Sequence, residues 1–224
     1  MARDSSAAKA APPRAERAAA KPRAVKASKP PRSAKTKSKG GSAETLERAD
    51  WIAAARAMLI RDGAAAVKVE RIATALNVTR GGFYWRFRDH ADLMDALVKD
   101  WRETNSTTMI AALKGEGTPV ERIWKLMDVW VDEIGYDPAY DIAVRSWATT
   151  SKKVARIVRA VDDDRIEALH QLFIDYGYSD MEAFIRARVF YWHQLGYYAM
   201  GVKERNTKRH EYLELYFKVL TGFQ

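Results

Sequence analysis

The chain has 224 residues and no cysteine, and its formal net charge is +9 at pH 7. This length allows one or two compact domains, and the lack of cysteine excludes disulfides, thiolate zinc sites, iron–sulfur clusters and a cysteine nucleophile. No apolar run reaches the roughly 18 residues that a membrane-spanning helix needs. The basic amino terminus has no apolar block behind it, so we expect no secretory signal.

The positive charge is concentrated in residues 1–43. This segment carries twelve Lys/Arg residues and two acidic residues, a charge of +10, whereas residues 44–224 sum to −1. It has no aromatic, leucine or isoleucine residue and contains five of the seven prolines. Because it cannot bury enough apolar surface to offset its chain entropy, we predict a disordered basic arm. Such an arm either binds nucleic-acid phosphates without sequence preference or is an inert, solvated leader.

After this arm the sequence has helical periodicity almost throughout. Its two remaining prolines, Pro119 and Pro138, each follow a residue that favours a helix start, and residues 179–182 form another capping pattern. Strand-like alternation and internal repeats are missing, so the sequence predicts an all-α fold. We predict nine helices, at residues 44–62, 69–76, 80–87, 90–113, 119–134, 138–148, 152–176, 180–203 and 208–221.

The most informative segment, residues 69–94, contains two short helices. Asn77 follows the first helix where a tight turn needs a left-handed residue, and Thr79 is placed to N-cap the second helix. In the second helix Phe83 and Phe87 are spaced i, i+4, as expected for a core-facing stripe. Two short helices joined by such a turn form a helix-turn-helix, whose second helix can enter the major groove of DNA.

The residues outside that stripe suit contact with DNA. Arg80 lies in the first turn, where its guanidinium can bind guanine O6 and N7 in a bidentate manner. Gly81 and Gly82 each destabilise a helix by about 1 kcal/mol relative to alanine. A close approach of the backbone to DNA explains why glycine occupies both positions. The hydroxyls of Thr79 and Tyr84 can donate to phosphate oxygens. The expected DNA-binding residues are Lys68, Thr79, Arg80, Gly81, Gly82, Tyr84, Trp85, Arg86, Arg88 and His90.

This segment resembles the DNA-binding domain of the TetR family of bacterial transcriptional regulators. The matching positions are Ile72-Ala73, Val78-Thr79, Gly82-Phe83-Tyr84, Phe87, His90 and Asp92-Leu93. Asn77 replaces the usual turn glycine, and His90 replaces the usual Lys or Arg at a phosphate contact, which makes that contact weaker or pH-dependent. The resemblance implies a helix-turn-helix domain at 44–94 and a helical ligand-binding and dimerisation domain at 95–224. It also implies a place in the bacterial cytoplasm, associated with the nucleoid.

The predicted helix 180–203 is apolar around most of its circumference, so it must be covered on two sides. One face can close on the protein core and the other on a partner subunit; a monomeric buried core is the alternative. The resemblance implies that the last two helices form a four-helix interface with their twins in a homodimer. Two recognition helices then lie about 34–36 Å apart on a palindromic site. The expected interface residues are Ile185, Val189, Trp192, Gly196, Ala199, Tyr212 and Tyr216.

Other aromatic residues of the larger domain can line a pocket for a flat or apolar small molecule, although core packing explains any one of them as well. The candidate pocket residues are Trp101, Trp124, Trp130, Trp147, Phe173 and His193. Asp128, Asp132 and Arg145 are either polar groups of the same pocket or ordinary ion pairs.

No catalytic or metal-binding pattern emerges. The four histidines form no metal-binding pair, and Asp162, Asp163 and Asp164 fan around a predicted helix instead of converging on one cation. We therefore expect no enzyme activity, no cofactor and no metal.

The sequence predicts a dimeric repressor that binds a palindromic DNA operator and is released by a small-molecule ligand. The alternatives are an architectural nucleoid-type DNA-binding protein without an inducer, and a helical interaction module that binds no DNA.

Overall fold

The computed structural model describes residues 46–223, and this part of the chain is all α-helical. Its nine α-helices are α1 (Arg48–Asp62), α2 (Val69–Ala75), α3 (Gly81–Tyr84), α4 (His90–Lys114), α5 (Pro119–Asp132), α6 (Pro138–Ala148), α7 (Lys152–Tyr176), α8 (Asp180–Ala199) and α9 (Asn206–Thr221). A short 3₁₀ helix, Ala64–Ala66, follows α1 and was not predicted. The all-α prediction is confirmed. The predicted basic arm, residues 1–43, lies outside the described residues.

Helix starts follow the predicted capping residues. The Thr118 side chain caps α5 in a complete capping box, and the Asp137 carboxylate caps α6. At the start of α8 the Ser179 hydroxyl accepts from the Glu182 backbone N–H. The Glu182 carboxylate, however, pairs with Arg186 at 2.8 Å, so only half of the predicted box at residues 179–182 is seen. A helical i, i+4 ion pair here competes with the capping bond.

Several helices are shorter than the sequence predicts, and α8 and α3 are two examples. The last residue of α8 is Ala199 instead of residue 203, because Gly201 adopts a left-handed backbone (φ +63°) that ends a helix. The segment predicted as a helix at 80–87 is α-helical only at Gly81–Tyr84. No helix within residues 46–223 is long and apolar enough to cross a bilayer.

The nine helices pack around two hydrophobic clusters. The first cluster holds α1, α2 and α3 against the first halves of α4 and α7 and against α6, with Trp51, Phe83, Trp101, Tyr140 and Val158 among its buried residues. The second cluster joins the second halves of α4 and α7 to α5, α8 and α9, with Met109, Leu126, Phe173, Phe190 and Phe217 among its buried residues. The 25-residue helices α4 and α7 run through both clusters. The boundary between residues 94 and 95 stays a prediction.

A buried polar group joins the two clusters. Arg165 of α7 is fully buried and donates to the Tyr191 hydroxyl of α8 at 3.0 Å. Its guanidinium lies 3.6 Å from the Asp141 carboxylate of α6, which also accepts from the indole N–H of Trp101 at 3.0 Å. We call Asp141, Arg165 and Tyr191 the polar bridge. Because Trp101 belongs to the first cluster and Tyr191 to the second, this bridge fixes how the clusters meet.

A second set of contacts attaches α1 to the helices of the larger region. Arg56 of α1 forms an ion pair with Asp137, the capping residue of α6, at 2.7 Å and lies 3.8 Å from Asp100 of α4. Its guanidinium also lies 4.5 Å from the centre of the Tyr140 ring. Asn105 of α4 donates to the Asp137 carbonyl at 2.8 Å. A shift of α6 therefore displaces a partner of α1.

Candidate nucleic-acid interface

The turn between α2 and α3 has the predicted left-handed residue. Asn77 has φ +55°, a conformation that asparagine tolerates better than most residues. The backbone N–H of Val78 then donates to the Ala73 carbonyl at 2.9 Å, and the Val78 side chain packs on the first cluster. This turn sets the direction in which α3 leaves α2.

Two phenylalanines hold α3 on the body of the protein. Phe83 and Phe87 are buried, and their rings stack with centroids 5.1 Å apart. Phe83 also meets Trp51 of α1 edge-on at 5.5 Å. The predicted core stripe is therefore confirmed, and the other side of α3 faces solvent.

Thr79 does not cap α3, so that prediction is wrong. The helix begins at Gly81, which makes Arg80 the capping residue, and no side chain caps this end. Thr79 lies one residue too early, although its carbonyl accepts from the Gly82 backbone N–H at 3.2 Å. Within residues 46–223, the first turn of α3 thus has no side-chain cap.

Arg86 is engaged within the protein rather than placed on the outer surface. Its Nε donates to the Leu46 carbonyl at 2.9 Å, and its own carbonyl accepts from Arg48 at 2.5 Å. Arg48 also pairs with Asp92 at 2.9 Å and lies 4.1 Å from the centre of the Phe87 ring. These bonds connect the end of the α3 segment to the starts of α1 and α4. The prediction that Arg86 lies outside the core is wrong, because the side chain is half-buried.

The other predicted residues, except Gly82, are all exposed, and we refer to them together as the α3 surface. It consists of Lys68, Thr79, Arg80, Gly81, Tyr84, Trp85, Arg88 and His90. Tyr84 and Trp85 are 63% and 83% exposed, which is unusual for aromatic side chains and indicates a binding surface. Gly82 is buried, so its predicted place on this surface is wrong.

Gly81 has room for a side chain within the protein itself. A Cβ added there would meet only the Thr79 hydroxyl, at an ordinary 3.7 Å. Packing within the described chain therefore gives no reason for glycine at this exposed helical position, where alanine is about 1 kcal/mol better. A partner that approaches the backbone closely would give a reason for glycine at this position.

The cationic residues of the α3 surface have acidic neighbours. Arg80 pairs with Glu70 of α2 at 2.6 Å, and both side chains are 61% exposed. A hydrogen bond from its own backbone and another from Arg80 lower the pKa of Glu70, so it is ionised at neutral pH. The Arg88 guanidinium lies 3.7 Å from Asp89. Glu70 was not among the residues predicted from the sequence for this surface. Its position on the exposed side of α2, opposite Arg80, could have identified it.

His90 is turned toward the protein. Its ring nitrogen Nε2 lies 2.7 Å from the Val67 carbonyl, which can only accept, so this nitrogen carries the proton. Asp89 caps α4 by accepting from the Asp92 backbone N–H at 2.8 Å. A phosphate contact by His90 would have to use the other ring nitrogen.

Helices α8 and α9 present an exposed apolar face, which we call the α8–α9 face. Ile185, Val189 and Trp192 of α8 are each about half exposed (51%, 48% and 49%), whereas the opposite side of α8 is buried in the second cluster. On α9, Leu215 and Val219 are exposed as well, and neither was predicted from the sequence. Gly196 and Tyr212 are half-buried and Ala199 is exposed. Tyr216 lies against His193, with ring centroids 5.0 Å apart.

A small cavity of about 40 Å³ lies between α5, α8 and α9. Its lining is mainly apolar and includes Trp130, Phe190, His193, Gln194, Leu213 and Tyr216. Of the predicted pocket residues, only Trp130 and His193 line it. Tyr216, predicted for the dimer interface, faces this cavity as well.

The other four predicted pocket residues are core residues. Trp101 is buried in the first cluster, where Trp147 packs against it, and Phe173 is buried in the second. Trp124 stacks on Phe217 with ring centroids 4.5 Å apart. None of these four residues lines the cavity between α5, α8 and α9, and each packs against one of the two clusters.

The remaining polar candidates form ion pairs. Arg145 binds the carboxylates of Asp141 and Asp162, each at 2.6 Å, and Asp132 lies 2.8 Å from His210. The fanning of the three consecutive aspartates is confirmed, since Asp162 faces Arg145 whereas Asp164 lies 3.7 Å from Arg102. Asp128 is exposed and does not line the cavity.

Residues 52–97 match the family model of bacterial regulatory proteins of the tetR family. This match covers α2, α3 and most of α1, together with the start of α4. No curated protein sequence matches the chain.

Solved structures with a similar fold include SCO4454, a TetR-family transcriptional regulator from Streptomyces coelicolor. It has a TM-score of 0.66 and 18% identity over 78% of this chain and 94% of its own. A transcriptional regulator from Rhodococcus sp. Rha1 has a TM-score of 0.60 and 19% identity, over 79% and 95%. The ketosteroid transcriptional regulator KstR2 of Mycobacterium tuberculosis has a TM-score of 0.54 and 17% identity, over 80% and 95%. At these identities the likeness shows a common fold.

Proposed function

Because residues 52–97 identify the chain as a member of the tetR family of bacterial regulatory proteins, we propose that it is a dimeric, operator-binding transcriptional repressor released by a small molecule. In this proposal the protein acts on DNA in the bacterial cytoplasm. The α3 surface reads a short DNA site, the α8–α9 face joins two subunits, and a ligand in the larger region changes the affinity for DNA.

The observation that carries the DNA-binding part is the construction of the α3 surface. Buried Phe83 and Phe87 fix α3 from below, so its outer side chains are held in place before any partner arrives. That outer side presents an uncrowded Gly81 and the aromatic rings of Tyr84 and Trp85. A short rigid helix with this outer side suits the major groove, where hydroxyl groups contact phosphates and apolar groups contact thymine methyls.

The α8–α9 face supports a homodimer. Half-exposed Ile185, Val189 and Trp192 form a contiguous apolar strip on one side of α8, and exposed Leu215 and Val219 of α9 add to the apolar surface. A second copy offers the same apolar surface, as a two-fold interface requires. A dimer also doubles the DNA contacts, because two-fold symmetry pairs one recognition helix with each half of a palindromic site.

The contacts between helices offer a route for ligand release. The polar bridge attaches α8 to α6 through Tyr191, Arg165 and Asp141, and the Arg56–Asp137 ion pair attaches α6 to α1. A ligand that favours a different position of α8 therefore changes the support of the α3 surface. A ligand with equal affinity for both arrangements would shift nothing.

The basic arm at residues 1–43 adds affinity that does not depend on sequence in this proposal. Its ten net positive charges release counterions from DNA phosphates, so its contribution falls as salt rises. Removing it, in a chain that starts at Gly40, is expected to weaken binding to operator and random DNA by similar factors.

The test is to select the genomic fragments that the intact chain binds and to footprint the protein on them. A short, symmetric protected site supports the repressor, whereas uniform coverage supports an architectural DNA-binding protein. The chain that starts at Gly40 is footprinted in parallel, and we expect the same protected site. Loss of every retarded band at low salt, with both chains, would refute DNA binding and leave a helical interaction module.

A further inference from the structure

One ion pair on the α3 surface joins the two helices of the helix-turn-helix. Arg80, the residue before α3, donates from Nη1 to the Glu70 carboxylate of α2 at 2.6 Å, and both side chains are 61% exposed. An exposed pair of this kind adds little to the stability of a fold. Its place on a surface that otherwise suits DNA points to a role in binding.

Both ends of this pair are attached to backbone that packing holds in place. Ile72, two residues after Glu70, is fully buried, and the Thr74 hydroxyl donates to the Glu70 carbonyl at 2.9 Å. The Arg80 carbonyl accepts from the backbone N–H of Phe83 at 3.1 Å, and the Phe83 ring is fully buried. The distance between the two backbones is therefore set by the core, and only the two side chains are free to move.

The pair leaves one edge of the guanidinium open. Glu70 engages Nη1 of Arg80, and within residues 46–223 no group forms a hydrogen bond with Nε or Nη2. Nε and Nη2 lie side by side on one edge of the planar group, where two parallel N–H donors suit a bidentate contact. Guanine offers O6 and N7 to such a pair of donors in the major groove. Arg80 can therefore hold Glu70 and a guanine at the same time.

The carboxylate of Glu70 also restricts what else Arg80 can bind. A free arginine side chain reaches any nearby phosphate, and such contacts give affinity without sequence preference. Hydrogen bonds from its own backbone and from Arg80 lower the pKa of Glu70, so the carboxylate stays negatively charged at neutral pH. This charge repels phosphates and keeps the guanidinium beside α2. Complexes in which Arg80 finds no guanine are therefore disfavoured.

We propose that Glu70 is a positioning residue, which holds the Arg80 guanidinium for contact with one guanine and so makes the α3 surface select a G·C pair. Glu70 acts through Arg80 and contacts no base itself. The inference rests on the proposed function, because it requires DNA on the α3 surface.

A role for Glu70 within α2 alone leads to different expectations. Glu70 lies in the first turn of α2, where a carboxylate interacts favourably with the helix dipole. That interaction does not involve Arg80, and its loss would change the affinity for every DNA sequence by the same factor. A change in base preference that depends on Arg80 distinguishes the two roles.

The test is a double-mutant cycle of Glu70→Ala and Arg80→Ala in the full chain, followed by fluorescence anisotropy. The duplexes are the footprinted site, a series in which each base pair of that site is replaced in turn, and a scrambled duplex. Arg80→Ala identifies the guanine as the base whose replacement no longer weakens binding. We expect Glu70→Ala to reduce the preference for that base pair about 3- to 10-fold and to raise the affinity for the scrambled duplex about 2- to 5-fold.

The double variant carries the decisive comparison. In a chain that already has Arg80→Ala, the further change Glu70→Ala should leave the base preference unchanged, because the group that Glu70 positions is gone. An equal loss of preference with and without Arg80 would overturn the positioning role and show that Glu70 acts independently. Unchanged preference in Glu70→Ala alone would overturn it as well.

The variant Glu70→Gln separates the hydrogen bond from the charge. Its side-chain oxygen can still accept from Arg80, so the base preference should stay closer to that of the natural chain than in Glu70→Ala. Its affinity for the scrambled duplex should rise as in Glu70→Ala, since both variants lose the charge. Equal base preference in the two variants would overturn positioning and leave a charge effect. Glu167→Ala, an exposed acid on α7, is the control and should change neither quantity.

These measurements also separate the inference from the proposed function. If Arg80→Ala removes a base preference and Glu70→Ala does not, the role of Glu70 fails and DNA binding stands. If the natural chain binds no duplex at low salt, the proposed function fails and the inference fails with it. Urea unfolding of Glu70→Ala should match the natural chain closely, which shows that its altered preference does not come from a damaged fold.

Discussion

The α3 surface and the α8–α9 face both expose aromatic or aliphatic side chains, but their surroundings differ. Tyr84 and Trp85 stand among three exposed cations, Lys68, Arg80 and Arg88, which outnumber their acidic partners Glu70 and Asp89, whereas Ile185 and Val189 border the neutral pair Glu182–Arg186. A polyanion fits the first setting, and an apolar surface of a second copy fits the second. Exposed apolar residues thus indicate an interaction surface, and the neighbouring charges indicate which partner it takes.

The two surfaces are also supported differently. The α3 surface rests on the local Phe83–Phe87 stack and on the contact of Phe83 with Trp51 of α1. The α8–α9 face depends on α8, whose position is tied to distant helices through Tyr191, Arg165 and Asp141. We expect a change in α8 to alter the α8–α9 face directly and to reach the α3 surface only through α6 and α1.

The largest expected effect follows from breaking the polar bridge. Arg165→Ala leaves the Asp141 carboxylate buried without its Arg165 partner, and we expect a loss of about 3–5 kcal/mol in the free energy of unfolding. Urea unfolding followed by circular dichroism measures it. Arg159→Ala, an exposed arginine on the same helix, is the control and should change little. A similar small loss for both variants would show that the bridge does not join the clusters.

The next effect separates the two surfaces directly. The double variant Ile185→Glu, Val189→Glu places charges in the α8–α9 face and is expected to yield monomers. Its operator affinity should fall about 100-fold or more, because a single recognition helix makes only half of the contacts. Light scattering and retardation measure the two results. Ile134→Glu, at an exposed apolar position before α6, should stay dimeric. If the double variant still forms dimers, the interface between subunits lies outside the α8–α9 face.

Arg80→Ala sharpens the assignment of base reading to the α3 surface. We expect a loss of about 1–3 kcal/mol on the preferred site and much less on random DNA, since the guanidinium discriminates between bases. Fluorescence anisotropy with both duplexes measures the ratio. The control is Arg159→Ala on α7, outside this surface. Equal losses on both duplexes would refute base reading by Arg80.

Tyr84→Phe is expected to have the smallest effect. Removing its hydroxyl deletes a phosphate contact while the ring keeps its packing on Phe83, so binding to every sequence should weaken by about 0.5–1.5 kcal/mol. The same anisotropy assay measures it at fixed salt. A loss confined to the preferred site would assign Tyr84 to base reading instead.

Local features of the fold were predictable from the sequence because their causes lie within a few residues. The turn at Asn77, the Phe83–Phe87 stripe and the caps at Thr118 and Asp137 all depend on spacing along one stretch of chain. The same spacing argument identified the exposed positions of the α3 surface, but it wrongly included Gly82 and Arg86.

Features that depend on distant partners were not predictable. Arg86 bonds to a carbonyl 40 residues away, and Arg165 bonds to a hydroxyl on Ser106, 59 residues away. Periodicity gives no information about such pairs. Similarly, whether Trp101 or Trp130 lines a cavity depends on which neighbouring helix fills the space beside the ring. That is why only two of the expected pocket residues, Trp130 and His193, line the cavity.

Native mass spectrometry of the intact chain with a duplex carrying one footprinted site tests the central claim most directly. The account predicts complexes with two chains, or a multiple of two, on each duplex, and much weaker binding to a scrambled duplex of equal length. A chain that stays monomeric and has no affinity for either duplex at low salt would contradict it.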